Sequence, residues 1–207
     1  YPFCTIDPNI GIVPVPDERL DKLEVMSKSA KKIPAIVEFY DIAWLVKGAS
    51  VGEGLGNKFL SHIRECSAVA QVLRVFGGSD IIHVENSVDP LRDMGIINTE
   101  LILKDMEAVD KRLVSATAEA RGGKKEAVKE VEILNKAKEM LGRGEMLQLL
   151  HAEPAIKVLQ LLTAKPQIYL LNGKPEDVSE ELKKQIAALG AGYVIADLGA
   201  ATDVADL

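Results

Sequence analysis

Cysteine and histidine are scarce in this sequence. Only two cysteines, Cys4 and Cys66, occur in 207 residues. They make no disulfide framework, and a reducing cytoplasm is the expected setting. The three histidines, His62, His83 and His151, form no Cys/His cluster, which argues against a zinc site. No apolar run approaches the roughly 18 residues of a membrane-spanning helix, so no membrane segment is expected. Positive charge is also in deficit. With 25 Lys and Arg against 31 Asp and Glu, the net charge of −6 argues against a surface that coats nucleic acid. No direct DNA binding is indicated, although a local basic patch stays open. The chain opens on Tyr1 with neither an initiator methionine nor a signal-peptide pattern, and the expectation is an internal piece of a longer protein.

What is present is ordinary globular material, 47% apolar and 27% charged, long enough for one or two domains. The most telling stretch is 36–58. It starts as a β-branched run and reaches Asp41, then opens into a loop crowded with Gly48, Gly52, Gly54 and Gly56. Carboxyl ends of strands are where open α/β sheets bind ligands. An acid there can hold a metal while a mobile loop follows a terminal phosphate. It can equally be a strand-end cap, and the residues alone leave both readings open.

Residues 1–9 carry two prolines and no helical period, and are expected as an extended loop. Strands are expected over 10–15 and 35–40, with a helix over 16–27 between them, as a hairpin-like pair or a sheet corner. A helix over 57–66, a buried strand over 69–76 and an irregular stretch over 81–95 follow. From 98 to 140 the pattern changes. Ile102, Met106, Val109 and Leu113 make one coiled-coil-like stripe, Arg121-Gly-Gly-Lys124 breaks it, and Ala127, Val131, Leu134 and Leu141 resume it. Two such helices form an antiparallel hairpin, which either projects towards a partner or packs on its own domain. A further helix is expected over 146–162, interrupted near Pro154. A strand over 167–172, a helix over 178–189 capped by Asp177 or Ser179, and a strand over 192–196 complete the chain. Strands alternating with helices indicate an α/β fold with a mostly parallel sheet.

Several runs carry a resemblance. Tyr1-Pro-Phe-Cys-Thr-Ile-Asp-Pro-Asn9, Asp41-Ile-Ala, Leu45-Val-Lys-Gly-Ala-Ser50, Gly52-Glu-Gly-Leu-Gly-Asn-Lys-Phe59 and Ile63-Arg-Glu-Cys66 are similar to the YchF (Obg-like ATPase) family. Val88-Asp-Pro, Ile97-Asn-Thr-Glu-Leu101 and Leu161-Leu-Thr-Ala-Lys-Pro166 agree. The resemblance implies a P-loop NTPase of G-domain type, with residues 1–97 and 146–207 as its two parts and 98–145 as an inserted antiparallel coiled-coil hairpin. No Gly-x-x-x-x-Gly-Lys-[Ser/Thr] occurs, since Gly123-Lys124 and Gly173-Lys174 lack the spacing or the hydroxyl. The family's phosphate loop would precede Tyr1 and its TGS domain would follow Leu207. Without the phosphate loop, this stretch alone is expected to be inactive.

By resemblance, Thr5 falls at the switch I threonine and Asp41 at the switch II aspartate, both on the Mg²⁺ side of the nucleotide. Trp44 departs from the family, standing where Asp-x-x-Gly has its glycine. Its side chain either bends the loop outward or damages sensing of the γ-phosphate. Leu45 occupies the place of the water-orienting glutamine. Asn172 carries over from the base-recognition motif, whose acid is one residue late at Glu176, with Pro175 at the expected position. No Ser-Ala stands near Ile195-Ala-Asp-Leu198. The resemblance implies a cytoplasmic, ribosome-associated NTPase that hydrolyses ATP or GTP with Mg²⁺ in the intact parent. The alternative is a degenerate, nucleotide-independent module that binds partners through its hairpin.

Overall fold

The computed structural model describes residues 9–41, 62–77 and 88–200, without the side chains of Asn9 and Asp41. The chain divides into two compact units, Tyr1–Trp44 and Leu45–Leu207.

In the first unit, β1 (Asn9–Pro14) and β2 (Ile36–Asp41) pair antiparallel, from Asn9 opposite Asp41 to Pro14 opposite Ile36. The hairpin-like pair is therefore the arrangement adopted. Between the strands runs α1 (Glu18–Ser27), capped by the Asp17 carboxylate, which accepts from the Arg19 N–H at 2.9 Å. Arg19 also grips Asp17 through its side chain, holding that carboxyl below the usual carboxylate range. The helix stops where Lys28 turns left-handed at φ 49°.

The second unit is built on a parallel sheet, with β4 (Gln167–Asn172) between β3 (Val69–Arg74) and β5 (Gly192–Ala196). Leu73, Tyr169 and Leu171 face a core shared with Met94, Val178, Leu182 and Ile186. The sequence pattern of β3 suggested a strand buried throughout. Only Gln71 and Leu73 are buried, because alternate residues face opposite sides of the sheet, and Val72 is 55% exposed.

Helix α2 (Pro90–Arg121) and helix α3 (Lys125–Gly142) pack against each other as the expected hairpin. Gly122 and Gly123 turn the chain between them, Gly123 at φ +86°. The seam buries Leu101, Ile102, Val109 and Ala116 on α2 and Ala127, Leu134, Ala137, Met140 and Leu141 on α3. Across the seam, Arg112 donates to both oxygens of Glu130, at 2.7 and 2.6 Å, and within α2 it donates to Glu119 at 3.1 Å. α2 begins within the stretch expected to be irregular. Asp89 caps it, accepting from the Arg92 N–H at 3.0 Å, and Pro90 takes the first turn, where a missing N–H costs nothing.

The expected helix over 146–162 is also different. It is a 3₁₀ turn at Gln148–Leu150, a short α4 (Pro154–Leu159) opened by Pro154, and a second 3₁₀ turn at Leu162–Ala164. Proline starts a helix but cannot continue one, which breaks the run there. Helix α5 (Glu180–Ala188) is capped by Ser179, whose hydroxyl accepts from the Leu182 N–H at 3.2 Å. Among the described residues, no helix is long and apolar enough to cross a membrane.

Candidate functional site

The parallel register places Asn172 opposite Ala196, so β4 and β5 end side by side. This carboxyl end is where α/β sheets receive ligands. Asn172 ties three segments together there. Its Oδ1 accepts from the Leu198 N–H at 3.1 Å, its carbonyl accepts from the Val75 N–H at 3.0 Å, and the next residue, Gly173, donates to the Ala196 carbonyl at 3.1 Å.

Gly173 is buried at φ +153°, and a Cβ at that position would come within 2.6 Å of Val75 Cγ2 and 3.3 Å of the Phe76 nitrogen. The Gly173→Ala variant should therefore lose about 1–3 kcal/mol of stability. Urea unfolding checks this, and an unchanged midpoint would contradict the crowding.

After Gly173 the chain folds into a 3₁₀ turn, Pro175–Asp177, in which the Asp177 carboxylate accepts from the Lys174 N–H at 3.0 Å. Glu176 lies exposed on this turn. Beyond β5, Asp197 accepts from the Gly199 and Ala200 N–H groups at 3.1 and 3.2 Å. The stretch after Ala196, where the family resemblance would place Ser-Ala, is thus an aspartate-capped turn pinned to Asn172.

In the first unit, Asp41 is the last residue of β2 and lies opposite Asn9. Thr5, Trp44, Leu45 and the side chain of Asp41 lie outside the described residues. Among the described residues, no group of three or more His, Cys, Asp and Glu gathers to hold a metal.

A second polar centre has no counterpart in the sequence reading. Asp105, fully buried on α2, accepts from the Leu162 N–H at 2.9 Å, the Thr163 N–H at 2.7 Å and the Thr163 hydroxyl at 2.7 Å. Burial, opposed by these donors and by the nearby Arg64 charge, raises its pKa above the ordinary aspartate value. Two residues on, the Lys165 amine donates to the carbonyls of Arg64 at 2.9 Å and Cys66 at 2.6 Å. The available signal was the run Leu161–Pro166, which matched the family but carried no role.

No family model matches the chain. It is 48% identical over 184 residues to the ribosome-binding ATPase YchF of Bacillus subtilis (strain 168), covering 87% of this chain and 50% of that protein. It is 46% identical over 197 residues to Obg-like ATPase 1 of Saccharomyces cerevisiae, covering 90% of this chain and 50% of the relative. The chain belongs to the YchF/Obg-like ATPase family. The solved Schizosaccharomyces pombe YchF GTPase matches with a TM-score of 0.71 at 39% identity, over 94% of this chain and 57% of that one. The YchF relationship bears out the α/β fold of P-loop NTPase type. The chain spans about half the length of the curated YchF relatives it matches.

Proposed function

We propose that this chain is the switch-bearing and base-recognition part of a magnesium-dependent purine NTPase. ATP is the first candidate substrate and GTP the second. Residues 1–97 and 146–207 form its G domain, and the inserted hairpin over 98–145 is the arm that meets a partner. The observation that carries this reading is the Asn172 junction, where a strand-end asparagine joins the β4 and β5 loops in a chain related to proteins named ATPase and GTPase. A ribosome partner rests on the name of the B. subtilis relative, and a cytoplasmic setting goes with it. Glu176 is the acid available near the base.

Asp41 and Thr5 are the residues that would hold Mg²⁺. Asp41 and Asn9 are register partners, and Thr5 precedes Asn9 by a reach of at most about 14 Å. A carboxylate and a hydroxyl are the hard oxygen donors this ion prefers. When bound, Mg²⁺ neutralises charge on the β- and γ-phosphates. Leu45 offers no group to orient water, so hydrolysis rests on positioning and charge stabilisation. Trp44 stands where a glycine N–H would approach the γ-phosphate, and hinders that approach.

Phosphate release by the full-length parent, wild type and Trp44→Gly, tests this with Mg-ATP and Mg-GTP. Nucleotide-dependent release is expected from the wild type, and about tenfold faster release from Trp44→Gly, one hydrogen bond to the developing charge being worth that much or more. No release from either protein with either nucleotide would instead favour a nucleotide-independent module acting through its hairpin.

A further inference from the structure

The segment Leu161–Pro166 touches more of the second unit than its length suggests. Its 3₁₀ turn is held to the root of the hairpin through Asp105. The Thr163 carbonyl accepts from the Leu147 N–H at 3.0 Å, where the chain leaves α3, and the Pro166 carbonyl accepts from the Val69 N–H at 2.9 Å, at the start of β3. Lys165 reaches the remaining neighbour. Residues 62–65, which follow the glycine-rich loop in sequence, form a helical turn anchored by the buried Ile63. The carbonyls of Arg64 and Cys66 lie at its exit, and both accept from the Lys165 amine.

We propose that Lys165 is a positioning residue that links the helical turn after the glycine-rich loop to the root of the hairpin. Through it, the state of that loop is transmitted to α2. This deepens the proposed function and rests on its reading of the loop as switch II.

The geometry favours transmission. Two charge-assisted bonds from one amine, to the carbonyls of Arg64 and Cys66, fix the end of the helical turn in two directions. The neighbouring Thr163 is fixed just as firmly, since Asp105 takes both its backbone N–H and its hydroxyl. Among the described residues, two hydrogen-bonded steps anchored in the segment 163–165 join this helical turn to α2, and the Arg64 charge also acts on Asp105 directly. A displacement of the helix exit must break the Lys165 bonds or drag the turn and α2 with it. Lys165 is half-buried, and that burial lowers the pKa of its amine.

The test uses the full-length parent in three forms: wild type, Lys165→Met and Lys165→Arg. Met keeps the stem and removes the donors, whereas Arg restores donors to the same carbonyls. Hydrogen exchange at residues 101–109 is measured with and without Mg-ATP, alongside ATP affinity and the thermal midpoint. In the wild type, nucleotide should change exchange at 101–109 by about fivefold or more. Lys165→Met should bind ATP as the wild type does but lose that response, and Lys165→Arg should recover it. A Lys165→Met protein whose hairpin responds as the wild type does, even at a lowered midpoint, would show that Lys165 is a structural cap only. ATP binding by the wild type with no response at 101–109 would overturn the link while leaving the nucleotide reading intact. Failure of the wild type to bind ATP would remove the nucleotide reading itself, and the link with it.

Discussion

Asp41→Asn in the full-length parent should lower Mg²⁺-dependent phosphate release by about 10²–10³-fold, the loss typical when one preorganised electrostatic group is removed from a reacting centre. The substitution keeps size and shape but removes the negative charge that a magnesium shell requires. Asp41 ends β2 in register with Asn9, so the strand should tolerate the change and the folded state should be nearly unaffected. Raising the Mg²⁺ concentration should restore part of the rate, because the defect is one of metal affinity. Steady-state phosphate release measured across a magnesium titration checks both points. A variant with the wild-type rate at every concentration would return Asp41 to the simpler role of a strand-end cap.

Asp105→Ala should destabilise the chain by about 3–5 kcal/mol, the cost of leaving several buried donors without an acceptor. Three donors are at stake: the Leu162 N–H, the Thr163 N–H and the Thr163 hydroxyl. Asp105→Asn should cost less, since its one oxygen still accepts, although its amide nitrogen then faces a donor. The pH dependence has a definite sign. Because burial raises the pKa of Asp105 in the folded state, its share of stability is fully present below the ordinary value of 3.8 and is lost as pH rises through the raised value. Asp105→Asn should remove that slope. Urea unfolding of the three proteins at several pH values measures both effects. Equal midpoints for wild type and Asp105→Ala would contradict the role given to this carboxylate.

The hairpin was legible because a helical apolar stripe, a Gly-Gly break and a second stripe are local signals. Ile102, Val109, Ala127, Leu134 and Leu141 are buried as that pattern implies. The start of α2 was less legible, since Asp-Pro reads as a turn unless its carboxylate is seen to cap the following helix. The stretch 146–162 misled for a related reason. Its apolar spacing is helical, but Pro154 fits only a first turn.

The site divides in the same way. Asn172 was legible through the family's base-recognition motif, but its bond to Leu198 spans 26 positions and leaves no local trace. Gly173 was passed over because neither its positive φ nor the approach of Val75 is written near it in the chain. Asp105 was hidden by its setting. An acid on a charged helix reads as solvated, and only the fold brings Leu162 and Thr163 to it. Thr5, Trp44 and Leu45, and with them half of the proposed chemistry, stand on family resemblance.

Calorimetric titration of the full-length parent with ATP and with GTP, each with and without Mg²⁺, should show saturable binding that weakens when Mg²⁺ is withheld and is tighter for ATP than for GTP. No binding of either nucleotide at millimolar concentration would contradict the proposed function.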